Sequence, residues 1–173
     1  MEGFALGYLG RMQIRFPTRL NNDTALLKAQ SGKKIMEHVP ELLLRKVDTI
    51  EVPGTKAFER ASAAVMDYRI FPQNIIKPLG QWQAEGRSAQ VGDTILQRIQ
   101  LPPFRTLRLE LIAGVRIVEL EHDSARTLLA YATLNGHVER GISRFIVERT
   151  PTGARFTIDT SSGPGHWLTG LAP

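Results

Sequence analysis

A histidine, a carboxylate and a phenol close together can move a proton, and the segment from Tyr131 to Glu139 holds all three. His137 titrates near neutrality and Glu139 stands two places on, which makes them the best general acid–base pair in the chain. Tyr131 shares a strand face with Thr133 and suits donation to a developing oxyanion. The catalytic candidates are therefore His137, Glu139 and Tyr131. Ligand binding draws on an overlapping set: Tyr131, Thr133, His137 and Arg144 as orienting polar groups, with Phe58 and Trp167 as apolar walls. Structural duties compete with each reading. A histidine after a glycine in a tight loop commonly bonds to nearby backbone, and Trp167 with Leu168 suits a core or lid position.

Other chemistries fail on residue type or spacing. The chain of 173 residues has no cysteine, so disulfides, thiolate metal sites, iron–sulfur clusters and cysteine nucleophiles are all excluded. His38, His122, His137 and His166 form no i, i+4 pair, and neither a metal nor a cofactor is expected. Gly32-Lys33 lacks the first glycine and the following hydroxyl of a phosphate loop, and Gly163-Pro164-Gly165 reads as a turn. Ser161 or Ser162 with His137 and Asp159 could be assembled into a triad, yet nothing places the serine on a nucleophile elbow. A net charge of +5 is ordinary for solubility. Its densest patch is the arm with Arg11, Arg15, Arg19, Lys28, Lys33 and Lys34, which favours anionic surfaces weakly and makes nucleic acid an unexpected partner. No run approaches the roughly 20 apolar residues of a membrane span. Met1-Glu2 starts no basic and apolar leader, so a cytoplasmic protein is expected.

Two parts are expected: an arm with a short helix over 1–45 and an α+β domain over 46–173. Ala57, Phe58, Ala61, Ala64, Val65 and Tyr68 form one apolar stripe at helical spacing, capped near Gly54-Thr55 and closed by Phe71-Pro72. From Gln81 onward the period falls to two. Strands are expected at Lys46–Val52, Thr94–Leu101, Leu107–Leu120 with Gly114 as bulge or bend, Thr127–Leu134, Ile142–Arg149 and around Phe156–Thr160. The connections are too short for parallel crossovers, so a curved antiparallel meander with one main packed helix follows.

The string Ala130-Tyr131-Ala132-Thr133-Leu134-Asn135-Gly136-His137-Val138-Glu139-Arg140-Gly141 resembles the family called domain of unknown function nineteen-ninety. Phe145-Ile146-Val147-Glu148, Phe156-Thr157-Ile158, Ser162-Gly163-Pro164, Trp167-Leu168 and the Ala57-to-Ala61 helix extend the resemblance over Val47–Leu168. Ala132, Ile142, Ser143 and Gly163 depart from the family pattern. The resemblance implies a helix-grip fold similar to START-like and polyketide-cyclase-like proteins, with the carboxyl-terminal helix short or absent. Its groove would then stay open, be filled by the helix around Phe58, or be covered by a second subunit in a homodimer. The function that follows is binding of a small, lipid-like or polycyclic apolar ligand. An enzyme of cyclase or isomerase type using His137 and Glu139 is the alternative, and anionic-surface binding through the arm a third.

Overall fold

A computed structural model describes residues 44–100, 110–134, 137 and 139–164. The expected arm with its basic residues, and Trp167, lie outside the described residues. Seven strands form one antiparallel sheet: β1 (Leu44–Pro53), β2 (Ile76–Gly80), β3 (Thr94–Gln100), β4 (Glu110–His122), β5 (Arg126–Thr133), β6 (Glu139–Thr150) and β7 (Gly153–Pro164). Their order is β1-β7-β6-β5-β4-β3-β2, so the first strand joins the last and every later strand pairs with its sequence neighbour. Turn chemistry fixes the register. Asp123 Oδ1 accepts from the N–H groups of Ala125 and Arg126 at 2.7 and 2.8 Å, which closes the β4–β5 hairpin.

Helix α1 (Ala57–Met66) lies across the concave face and contacts β5, β6 and β7. Its buried residues are Ala57, Phe58, Ser62 and Val65. The core they complete is Ile95, Val115, Ile117, Leu129, Phe145 and Val147, projecting from alternate positions of β3 to β6. Burying each such side chain contributes about 1.5–3 kcal/mol. Ser62, which the sequence stripe left out, is buried too, and its hydroxyl is satisfied by donation from Thr127 Oγ1 at 2.9 Å.

Three expectations are corrected. The helix stops at Met66 rather than running to Phe71-Pro72: Tyr68 adopts φ +55°, its N–H bonds Val65 O at 3.0 Å and the Arg69 N–H bonds Ala64 O at 2.7 Å. This is a Schellman stop with tyrosine where glycine usually stands. The irregularity in β4 falls between Ile117 and Glu119, whereas Gly114 pairs regularly with Leu96. Gly114 instead makes room: a Cβ there would lie 3.2 Å from Leu134 Cδ1. The short β2 and helix α2 (Gln81–Glu85) add elements that no periodicity signalled, since five residues are too few to show one. Among the described residues no helix is long and apolar enough to cross a membrane.

Candidate functional site

At the carboxyl end of α1 the concave face is aromatic. Tyr68, Phe71, Tyr131 and Phe145 stack against one another with ring centroids 5.7 to 6.4 Å apart. Two hydroxyls are sunk in that apolar floor, and both are satisfied by polar neighbours. Gln97 Nε2 donates to Tyr68 Oη at 2.6 Å, and the Tyr68 hydroxyl bonds that of Tyr131. Burial, then the neighbouring Tyr131, hold the Tyr68 phenol well above its ordinary titration range, so it stays neutral.

The far end of this chain of bonds is His137. Its Nδ1 accepts from the Glu139 backbone N–H at 3.0 Å, and its Nε2 stands 3.4 Å from Gln97 Oε1. The same Nδ1 lies 2.9 Å from the Glu139 carbonyl oxygen, so the backbone of that residue brackets the ring nitrogen. Polar contacts thus link His137 to Gln97, Tyr68 and Tyr131. His137 is half-buried, and burial lowers its pKa from the ordinary value.

A pH dependence follows from that direction. The unfolded chain takes up a proton near pH 6.5 that the folded chain resists, so the stability due to a neutral His137 is complete above about 6.5 and is lost as pH falls below it. Urea midpoints between pH 7.5 and 5 are expected to fall in the native protein, and to fall less steeply in His137→Gln. Equal slopes would show that the imidazole is indifferent to folding.

The structure brings His137 and Tyr131 together through Gln97, which the sequence reading passed over, and Tyr68, which it placed only in the apolar stripe. Gln97 carried a signal: it is the lone polar residue between Ile95 and Ile99 on one face of β3. The remaining candidates lie elsewhere. Glu139 holds His137 by its backbone while its side chain is exposed. Thr133 Oγ1 accepts from the Gly141 N–H at 2.9 Å and so ties β5 to β6. Arg144 alternates onto the opposite face from Phe145 and pairs with Glu119 at 2.9 Å, which corrects its expected place beside Tyr131. Asp159 is held by two bonds of 2.9 Å from Arg45. No group of three or more histidine or carboxylate side chains that could hold a metal occurs among the described residues.

Phe58 belongs to a second feature, which runs along α1. A cleft of about 540 Å³ opens there, lined by Phe58, Ser62, Ala63, Met66, His122 and Arg149 among others. The Arg149 guanidinium sits 4.2 Å above the Phe58 ring and bonds Glu59 at 2.9 Å. His122 Nδ1 lies 2.8 Å from Thr127 Oγ1, which passes its own proton to Ser62. Apolar helix side chains thus face a hydrogen-bonded wall.

The loop that sets His137 is also the most distinctive stretch of sequence, and it lies inside a family match. The profile described as Domain of unknown function (DUF1990) covers residues 31–173. The chain belongs to that family. Among solved structures this DUF1990 chain is similar to the hypothetical protein jhp0584 from Helicobacter pylori, with a TM-score of 0.54 at 12% identity over 79% of this chain and 78% of that one. It is similar also to the Polyketide_cyc-like protein Cgl2372 from Corynebacterium glutamicum, with a TM-score of 0.47 at 16% identity over 73% and 69%. The first of these likenesses concerns the fold alone. No curated protein matches the DUF1990 chain in sequence.

Proposed function

We propose that this protein binds a small, largely apolar molecule on its concave face. The observation that carries the reading is the cleft of about 540 Å³ between α1 and the sheet, walled by Phe58, Ala63 and Met66. Ligand pockets typically enclose about 300–1,000 Å³ of mostly apolar wall with a few convergent polar groups. Ser62, His122 and Arg149 are such groups here.

Ala63 is exposed on the helix surface that borders the cleft, so Ala63→Trp fills the space without touching the core. The variant is expected to bind anilinonaphthalene sulfonate at least about tenfold more weakly than the native protein, with an unchanged unfolding midpoint. Native mass spectrometry of both proteins purified gently from cells should show an added mass on the native chain alone. Equal dye affinity in the two proteins would place binding elsewhere and remove this reading.

Catalysis of a cyclase or isomerase kind is favoured by a separate observation, the polar contacts that link His137 through Gln97 and Tyr68 to Tyr131. A phenol within such a polar network suits a developing oxyanion. On that reading Tyr131→Phe leaves dye binding intact while abolishing turnover of the molecule that mass spectrometry recovers.

A further inference from the structure

Large apolar side chains are exposed on β1 at Leu44, Val47 and Ile50, with 83%, 51% and 59% of their surface accessible. Their spacing is symmetric about Val47. Among the described residues β1 is an outer strand, paired with β7 alone. The Gly54 N–H bonds Thr152 O at 3.0 Å in continuation of that register, which fixes the alternation along the strand. Even-numbered residues turn their backbone groups toward β7, and Arg45, Val47, Thr49 and Glu51 turn theirs outward. An outward row of this kind is a template for another strand.

We propose that this edge pairs with β1 of a second copy of the chain, antiparallel and centred on Val47. A two-fold axis normal to the sheet sets each residue opposite one from the same face. Centred on Val47, Leu44 of one protomer meets Ile50 of its partner, Val47 meets Val47, and Lys46 meets Asp48. Lys46 already bonds Asp48 of its own strand at 3.0 Å, so the two protomers build an alternating square of charge on the concave side. The neighbouring centres fail. Pairing about Lys46 opposes two ammonium groups, pairing about Asp48 opposes two carboxylates, and pairing about Thr49 sets Asp48 against Ile50 and Val47 against Glu51. Val47–Val47 and the two Arg45–Thr49 pairs would each exchange backbone bonds, using N–H groups that the chain's own sheet leaves outside. The pairing does not depend on the ligand reading.

The absence of cysteine makes the test direct. In the full chain, Val47→Cys is expected to form a disulfide-linked dimer under mild oxidation, because paired Cα atoms lie about 5.5 Å apart. Thr49→Cys should stay monomeric on denaturing gels, since its two copies are separated by about 13 Å along the strands. Sedimentation of cysteine-free protein supplies an independent measurement. Lys46→Glu is expected to raise the dimer dissociation constant at least about tenfold, and Lys46→Glu with Asp48→Lys should restore it. A native chain that stays monomeric at every concentration overturns the proposal. Cross-linking through position 49 in place of 47, or a double variant as weak as the single one, overturns it equally.

Discussion

Tyr68→Ala is expected to lower the free energy of unfolding by about 3–5 kcal/mol, read from urea midpoints at constant slope. The ring is almost wholly buried and meets Phe71, Tyr131 and Phe145, so its removal empties the centre of the aromatic floor. Two further substitutions divide the effect. Tyr68→Phe keeps the ring but strands Gln97 Nε2 in a buried site, at a cost of about 1–3 kcal/mol. Tyr68→Gly loses the ring yet relieves a left-handed backbone, and should be more stable than Tyr68→Ala by about 1 kcal/mol. A glycine variant no better than the alanine variant would mean that φ +55° carries no strain. A phenylalanine variant as stable as the native protein would mean that the hydroxyl network contributes nothing to folding.

The tyrosine at this helix stop is a local rule broken in favour of a tertiary one. Left-handed backbone disfavours any side chain with a Cβ, and glycine would end the helix at lower local cost. A glycine there could not reach Gln97 or Tyr131. Strain of about 1–3 kcal/mol persists where the surrounding structure over-determines it, and such positions concentrate at functional sites. Loss of Tyr68 should therefore also disturb the neighbouring site, because the Gln97 amide that faces His137 loses its other partner.

Gly141→Ala is the second large effect. A Cβ at this position would collide with the Ser161 carbonyl oxygen and stand 2.7 Å from Ser162 Cα, and both neighbours are backbone of the adjoining strand. Rigid strand backbone cannot yield as a flexible side chain does, so β6 and β7 must separate locally. Overpacking of this kind costs about 1–3 kcal/mol, and the upper part of that range is expected here. The Gly141 N–H also anchors Thr133, and through that bond the His137 loop is held between β5 and β6. Hydrogen exchange at the Gly141 and Glu139 amides should accelerate in the variant more than exchange in the β4–β5 hairpin. Uniform acceleration throughout the sheet would point to global destabilisation alone.

Gly141 shows how the distinctive string was legible as pattern before it was legible as mechanism. Its resemblance to a family was visible in Thr133, Gly136, His137, Glu139 and Gly141 together. The reason for four of them is local bonding: Thr133 accepts from Gly141, and His137 bonds the backbone of Glu139. An acid–base reading of the same residues assigned the work to the Glu139 carboxylate, whereas the backbone of that residue does it. Residue type alone cannot distinguish a side-chain partner from a main-chain one two positions away.

Periodicity and turn chemistry determined most of the architecture on their own. Alternation is a property of each strand, and the apolar stripe of α1 a property of the helix, so both are written in neighbouring residues. The short connections after Leu120 and Thr150 then required antiparallel pairing. What only the tertiary structure decided depends on groups distant in sequence. Pairing β1 with β7 joins the first of these strands to the last, and among the described residues this leaves the other edge of β1 without a neighbouring strand. Gln97 meets both Tyr68 and His137 because the concave sheet brings β3, the end of α1 and the loop after β5 to one point. The face that Arg144 occupies turned on a single step of register, which exchanges every side chain of a strand between the two sides of the sheet.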